Sequence, residues 1–233
     1  MVVDSTATDV PRREPMATDE AAPSRTLDRE QTATLFGRTM VLVGVTAGFF
    51  AVGAYLARDL PPLWGLAFLV AAVVALFALE AAVNRSERVA LAVLSGFGVL
   101  FGAALGPTVG SYVGAEPQTL VLAAVATGLF IAGFGAAGYA TRRDLSGLAR
   151  TLCWALVALI AFGVVLVFVQ VPGGALIYAV IGLVIFAGLT SLDFQRLRRS
   201  KDIRTAPVMA ASIFLDILNV FLLFLSLFRG GVR

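Results

Sequence analysis

Apolar residues run along this chain in seven long stretches, near 38–57, 61–83, 88–112, 117–140, 147–170, 174–195 and 206–228, and polar residues collect in the short gaps between them. Each stretch is long enough to cross a hydrocarbon core of about 30 Å as a helix rising about 1.5 Å per residue. The pattern predicts an all-α integral membrane protein with seven transmembrane helices. Pro61, Pro62, Pro117 and Pro207 stand at stretch starts, where a missing N–H does no harm, and Val171-Pro172-Gly173-Gly174 predicts a tight hairpin. The gaps are too short for an extramembrane domain, so residues 37–230 are expected to form a single seven-helix unit. Residues 1–36 carry Thr, Ala, Pro, Asp, Glu and Arg without an apolar stretch, and are expected to be a disordered cytoplasmic tail and not a signal peptide.

Small residues add packing to this picture. Gly98, Gly102, Gly106 and Gly110 recur every four positions on one helical face and predict a close helix–helix contact, with Pro107 offering a hinge in the same segment. Gly128, Ala132 and Ala136 form a similar ridge, for which packing is again the sufficient account.

Composition agrees with the pattern: 59% of residues are hydrophobic and 14% charged, and the mean hydropathy is +0.90. The formal charge of +3 does not point to nucleic acid, because the basic residues sit in gaps between spans. Arg85 and Arg88, then Arg142, Arg143 and Arg150, then Arg196, Arg198, Arg199, Lys201 and Arg204 occupy alternate loops, while the opposite loops hold only Arg58. The positive-inside rule therefore predicts a cytoplasmic N-terminus in the plasma membrane and a C-terminus on the far side. The lone Cys153 allows neither an internal disulfide nor a cysteine metal site, and the absence of histidine removes the usual titrating group near neutral pH. No bound cofactor is expected.

Three carboxylates lie inside the apolar segments: Glu80, Asp193 and Asp216. An intramembrane carboxylate is costly and by default suggests function. The topology places all three in the cytoplasmic half of the bundle, with Arg85, Arg88 and Arg196 at the same mouth. Asp193 has two readings, an interfacial acid paired with Arg196 three positions on, or half of a carboxylate pair. Asp216, with Ser212 and Asn219 on the same helical face, is expected to turn towards a protein interior or a water-filled path. Two carboxylates close together in low dielectric do not both ionise cheaply and are expected to share a proton. Deprotonated, the pair offers hard oxygen ligands suited to a weak, partly hydrated calcium site. Glu80 is read as a third ligand, an interfacial acid or a partner of Arg85, the last two being favoured.

The runs A-P-V-M-A-A-S-I-F-L-D-I-L-N-V-F at 206–221, S-L-D-F-Q-R-L at 191–197 and G-Y-A-T-R-R-D-L-S-G-L at 138–148 resemble the transmembrane Bax inhibitor motif family in its bacterial form. The resemblance covers roughly 38–230. It implies two three-helix layers around a central C-terminal helix, and a pH-sensitive calcium leak gated by an aspartate pair that falls on Asp193 and Asp216. The family's latching arginine near the end of the second helix falls here on Asn84, with Arg85 next to it, so Arg85 or Arg196 is the candidate counter-ion. Two other classes compete. A regulator or scaffold would modulate a membrane protease or other membrane protein through its tail and Gly-rich faces. An intramembrane aspartyl protease would use the two aspartates as acid and base on a water, but Ile213-Phe214-Leu215 replaces the Gly-x-Gly that precedes its second aspartate.

Overall fold

A computed structural model describes residues 21–169, 171–200 and 202–230. The predicted tail's residues 1–20, Lys201 and the chain end at 231–233 lie outside the described residues. The elements are α1 (Ala21–Ala57), α2 (Pro62–Arg85), α3 (Glu87–Ala115), α4 (Pro117–Ala140), α5 (Ser146–Phe168), α6 (Gly174–Arg199), a 3-10 turn (Ile203–Thr205) and α7 (Ala206–Gly230). All seven helices are long and apolar enough to span a membrane, and no strand occurs among the described residues. This is a multi-pass membrane protein.

Helix α1 starts well before the apolar stretch. Residues 21–36, expected to belong to the tail, are helical, and the apolar span itself begins at Thr32. After Pro23 no proline or glycine intervenes until Gly37, so a helix nucleated in the span extends outward at one hydrogen bond per residue. The other boundaries follow their local chemistry. Pro62 and Pro117 open α2 and α4, Ser86 ends α2 and caps α3 through Val89 N–H, and Gly173 takes the left-handed conformation (φ 73°) ahead of α6. The Gly174 N–H closes that hairpin on Val171 O at 2.9 Å.

The helices form two sets of three. In the first, α3 packs between α1 and α2; in the second, α6 packs between α4 and α5; α7 lies between the sets against α1, α4 and α6. Helix α7 is the most buried span, with Ala210, Ala211, Ile213, Phe214 and Val220 in its core face. Helix α5 instead turns Trp154, Val157, Ile160 and Val164 outward, as a lipid-facing helix does.

The α1–α3 contact uses the glycine row as expected. A Cβ on Gly102 would lie 2.0 Å from Phe50 O, and one on Gly53 would lie 2.1 Å from Val99 O, so the two backbones meet directly. Pro107 leaves α3 helical throughout. The ridge on α4 behaves differently. Nothing lies within 4 Å of a Cβ built on Gly128, and Gly128, Ala132 and Ala136 instead line an open apolar groove of about 910 Å³ between α1 and α4, floored by Phe214, Ile217 and Phe221 of α7. The small residues that bring α4 against α6 are Gly135, under the Phe194 ring, and Gly138, against the Ser191 backbone.

Candidate functional site

Near the arginine-rich end, α6 and α7 each turn an aspartate into the protein. Asp193 and Asp216 are 9% and 6% exposed. The Ser212 hydroxyl, one turn before Asp216 on α7, donates to Asp193 Oδ2, which joins the two helices. Arg196 Nη1 lies 3.4 Å from Asp193 Oδ1, while its side chain remains 60% exposed. Asp193 thus contacts Arg196 on its own helix and Ser212 on α7.

Asp216 lies near enough to Asp193 for their charges to interact. Its surroundings are poorer. Asp216 Oδ2 and Thr190 Oγ1 on the adjoining turn of α6 make no hydrogen bond of normal geometry, although the Thr190 hydroxyl lies close enough to interact with the Asp216 carboxyl. A buried carboxylate oxygen left unpaired is costly as an anion and much less so as a neutral acid.

A vestibule of about 420 Å³ opens beside the pair. Its wall is largely apolar, with Val83, Val208 and Met209, and carries Glu80 and Asn84 of α2, Asp193 and Arg196 of α6, and Thr205 and Ser212, whereas Asp216 does not line it. Asp193 thus stands between a space able to hold water and a deeper, enclosed carboxylate.

Three assignments change. Arg85 makes no ion pair with Glu80 or Asp193 among the described residues and faces a neighbouring cavity instead; Arg196 supplies the guanidinium. Residues 84 and 85 point about 100° apart on a helix; Asn84 lines both the vestibule and the neighbouring cavity, and Arg85 only the latter. Glu80 is exposed on the vestibule wall, its carbonyl accepting from Asn84 Nδ2 at 3.1 Å. No three acidic, histidine or cysteine side chains converge among the described residues, so Glu80 does not complete a three-carboxylate ligand set. Asn219 donates to Leu215 O at 2.8 Å on its own helix and does not reach the vestibule.

Sequence reasoning missed what holds α6 in place. Gln195, 2% exposed, accepts from Leu145 N–H at 2.9 Å and donates to Arg143 O at 2.7 Å. Arg198 donates to Tyr139 O and Thr141 O at 2.5 and 2.6 Å, satisfying carbonyls at the end of α4. Arg199 reaches Asp144 at 2.7 Å. Hydrogen bonds from Ser146, and then from Arg199, hold the Asp144 carboxyl below its ordinary range. The segments 138–148 and 191–199 are thus two halves of one clamp; the amide and guanidinium groups next to Asp193 were its signal.

The family model described as Inhibitor of apoptosis-promoting Bax1 matches residues 32–233. An uncharacterised protein of Caulobacter vibrioides is 32% identical over 144 residues, 57% of this chain and 55% of that protein. One from Chlamydia muridarum is 28% identical over 219 residues, covering 86% of this chain and 91% of the relative. The inner membrane protein YbhL of Escherichia coli K12 is 34% identical over 103 residues, 39% of this chain and 43% of YbhL. The matched stretch thus spans about half of the Caulobacter relative and nearly all of the Chlamydia one.

Proposed function

Since this chain belongs to the Bax inhibitor family, we propose that it is a pH-sensitive calcium leak channel of the plasma membrane, gated by protonation of Asp193 and Asp216. The observation that carries this reading is the unequal access of two similarly buried carboxylates: Asp193 lines the vestibule and Asp216 does not. A proton shared between them removes one of two facing charges and lets α6 and α7 close on each other. Its loss sets two anions side by side in low dielectric, which favours separation of the helices and entry of a cation. The carboxylate oxygens are hard ligands suited to calcium, and with only two of them the ion keeps much of its water and leaves readily. Arg196 acts as the mobile counter-charge and swings between Asp193 and the aqueous mouth. The arginine-rich loops support a cytoplasmic position for this mouth.

Purified protein in calcium-reporting liposomes tests the proposal. Asp216→Asn is a neutral stand-in for the protonated acid, so it is expected to hold flux near the wild-type low-pH value and to flatten the pH profile. A variant with the flux and pH response of the wild type would sink the gating role.

The open apolar groove between α1 and α4 favours a second reading, a regulator that receives a helix of a membrane protease or other membrane protein. On that reading, Gly128→Phe abolishes regulation and Asp216→Asn leaves it intact.

A further inference from the structure

Beside the vestibule lies a polar cavity of about 260 Å³, enclosed by α1, the α2–α3 turn and the start of α7. Its charged lining is Arg38, Arg85, Arg204 and Glu87. Glu87 is already engaged, since Arg38 donates to it. Arg85 and Arg204 have no acidic partner among the described residues; what sets them apart from other unpaired arginines is that they line one cavity together. The cavity therefore gathers three guanidiniums from three separate elements around one carboxylate, leaving two positive charges in a concave space. Like charges held this way repel one another unless an anion enters between them.

The geometry narrows the anion. Helix α2 ends at Arg85, and the apolar spans of α3 and α7 begin at Glu87 and Ile203, so the cavity sits at the level where hydrocarbon gives way to lipid headgroups. Guanidinium presents a planar fork of N–H donors that matches phosphate oxygens in pairs. The Ser86 hydroxyl, whose oxygen accepts from Val89 N–H, keeps its own hydrogen for a third contact. Basic pockets between helices at the cytoplasmic side of a membrane commonly take phosphorylated headgroups.

We propose that Arg85 and Arg204 hold a phosphate-bearing anion in this cavity, either the headgroup of an anionic phospholipid or the same group on a soluble molecule. The site stands independently of the calcium-leak reading. It nevertheless shares Val83 and Asn84 with the vestibule wall, so an occupant touches the same turn of α2 that faces Asp193.

The full chain in phosphatidylcholine nanodiscs doped with phosphatidylglycerol provides the test, with bound lipid counted by native mass spectrometry. A parallel arm measures the melting temperature in pure phosphatidylcholine discs with added glycerol 1-phosphate or inorganic phosphate. Wild type is expected to retain phosphatidylglycerol selectively, and R85Q/R204Q to weaken retention about a hundredfold, each lost charge-assisted bond contributing about tenfold. R85K/R204K keeps the charge without the fork and should fall between them, while Arg150→Gln on α5 should match wild type. Protection by soluble phosphate alone, lost in R85Q/R204Q, assigns the site to a soluble ligand. Each single variant is carried in parallel, so that misfolding of the double variant does not decide the result. Wild-type behaviour of all the Arg→Gln variants in both arms would overturn the proposal.

Discussion

Asp193 and Asp216 differ in how many neighbours answer them. Asp193 has the Ser212 hydroxyl and the Arg196 guanidinium, whereas one oxygen of Asp216 makes no hydrogen bond of normal geometry. Because the Ser212 bond crosses from α7 to α6, Ser212→Ala is expected to reduce stability by about 1.5–3 kcal/mol, the range for a hydrogen bond to a charged group. If the aspartates gate flux, the same change should raise the resting calcium leak several-fold in liposomes. Asp144 provides an independent pH signature. Its carboxyl is held below the usual range by Ser146 and Arg199, so its contribution is fully present above the unfolded carboxylate value, near pH ~4, and is lost as pH falls through the lower folded value. Asp144→Asn should remove that acid limb from melting curves recorded against pH.

At the scale of helices, the α1–α3 contact is the least tolerant of added volume. Gly102→Ala would set a Cβ 2.0 Å from Phe50 O, forcing the backbones apart, at a cost of about 1–3 kcal/mol. Gly96→Ala on the same helix meets nothing within 4 Å and should leave the melting temperature unchanged or raise it slightly. The pair of melts separates backbone contact from mere loss of glycine. The seven spans were legible because an apolar run of membrane length has few alternative structures. The four-residue glycine period was legible on α3, yet the same period on α4 lines a groove. Spacing identifies which residues share a face and says nothing of what stands opposite that face. For the same reason the burial of the two aspartates could be read from the sequence while the cation beside Asp193 could not: choosing among Asn84, Arg85 and Arg196 requires the rotational phase of α2. Asn219 eluded the reading because an asparagine side chain can always return to its own helix backbone.

Across the whole molecule, the two sets of three repeat one plan, in which the first and second helices of each set flank the third. An odd number of spans per set inverts the second relative to the first, a relationship that many transporters use to place their central site at the interface of the two halves. Here α7 and its aspartate occupy that interface. The orientation predicted from the basic loops is open to direct test. In a Cys153→Ser background, Asp59→Cys should react with an impermeant maleimide on intact cells, and Arg143→Cys only after permeabilisation; the reverse result would invert the topology. The clamp formed by Gln195, Arg198 and Arg199 also has a mechanical consequence. The end of α4 and the following loop are fixed to α6 by at least five hydrogen bonds, so on the gating proposal this set is the frame and α7 the part that travels. If the aspartates gate flux, spin labels spanning α4 and α6 should report one narrow distance at every pH, whereas a pair spanning α6 and α7 should broaden or split as the aspartates titrate.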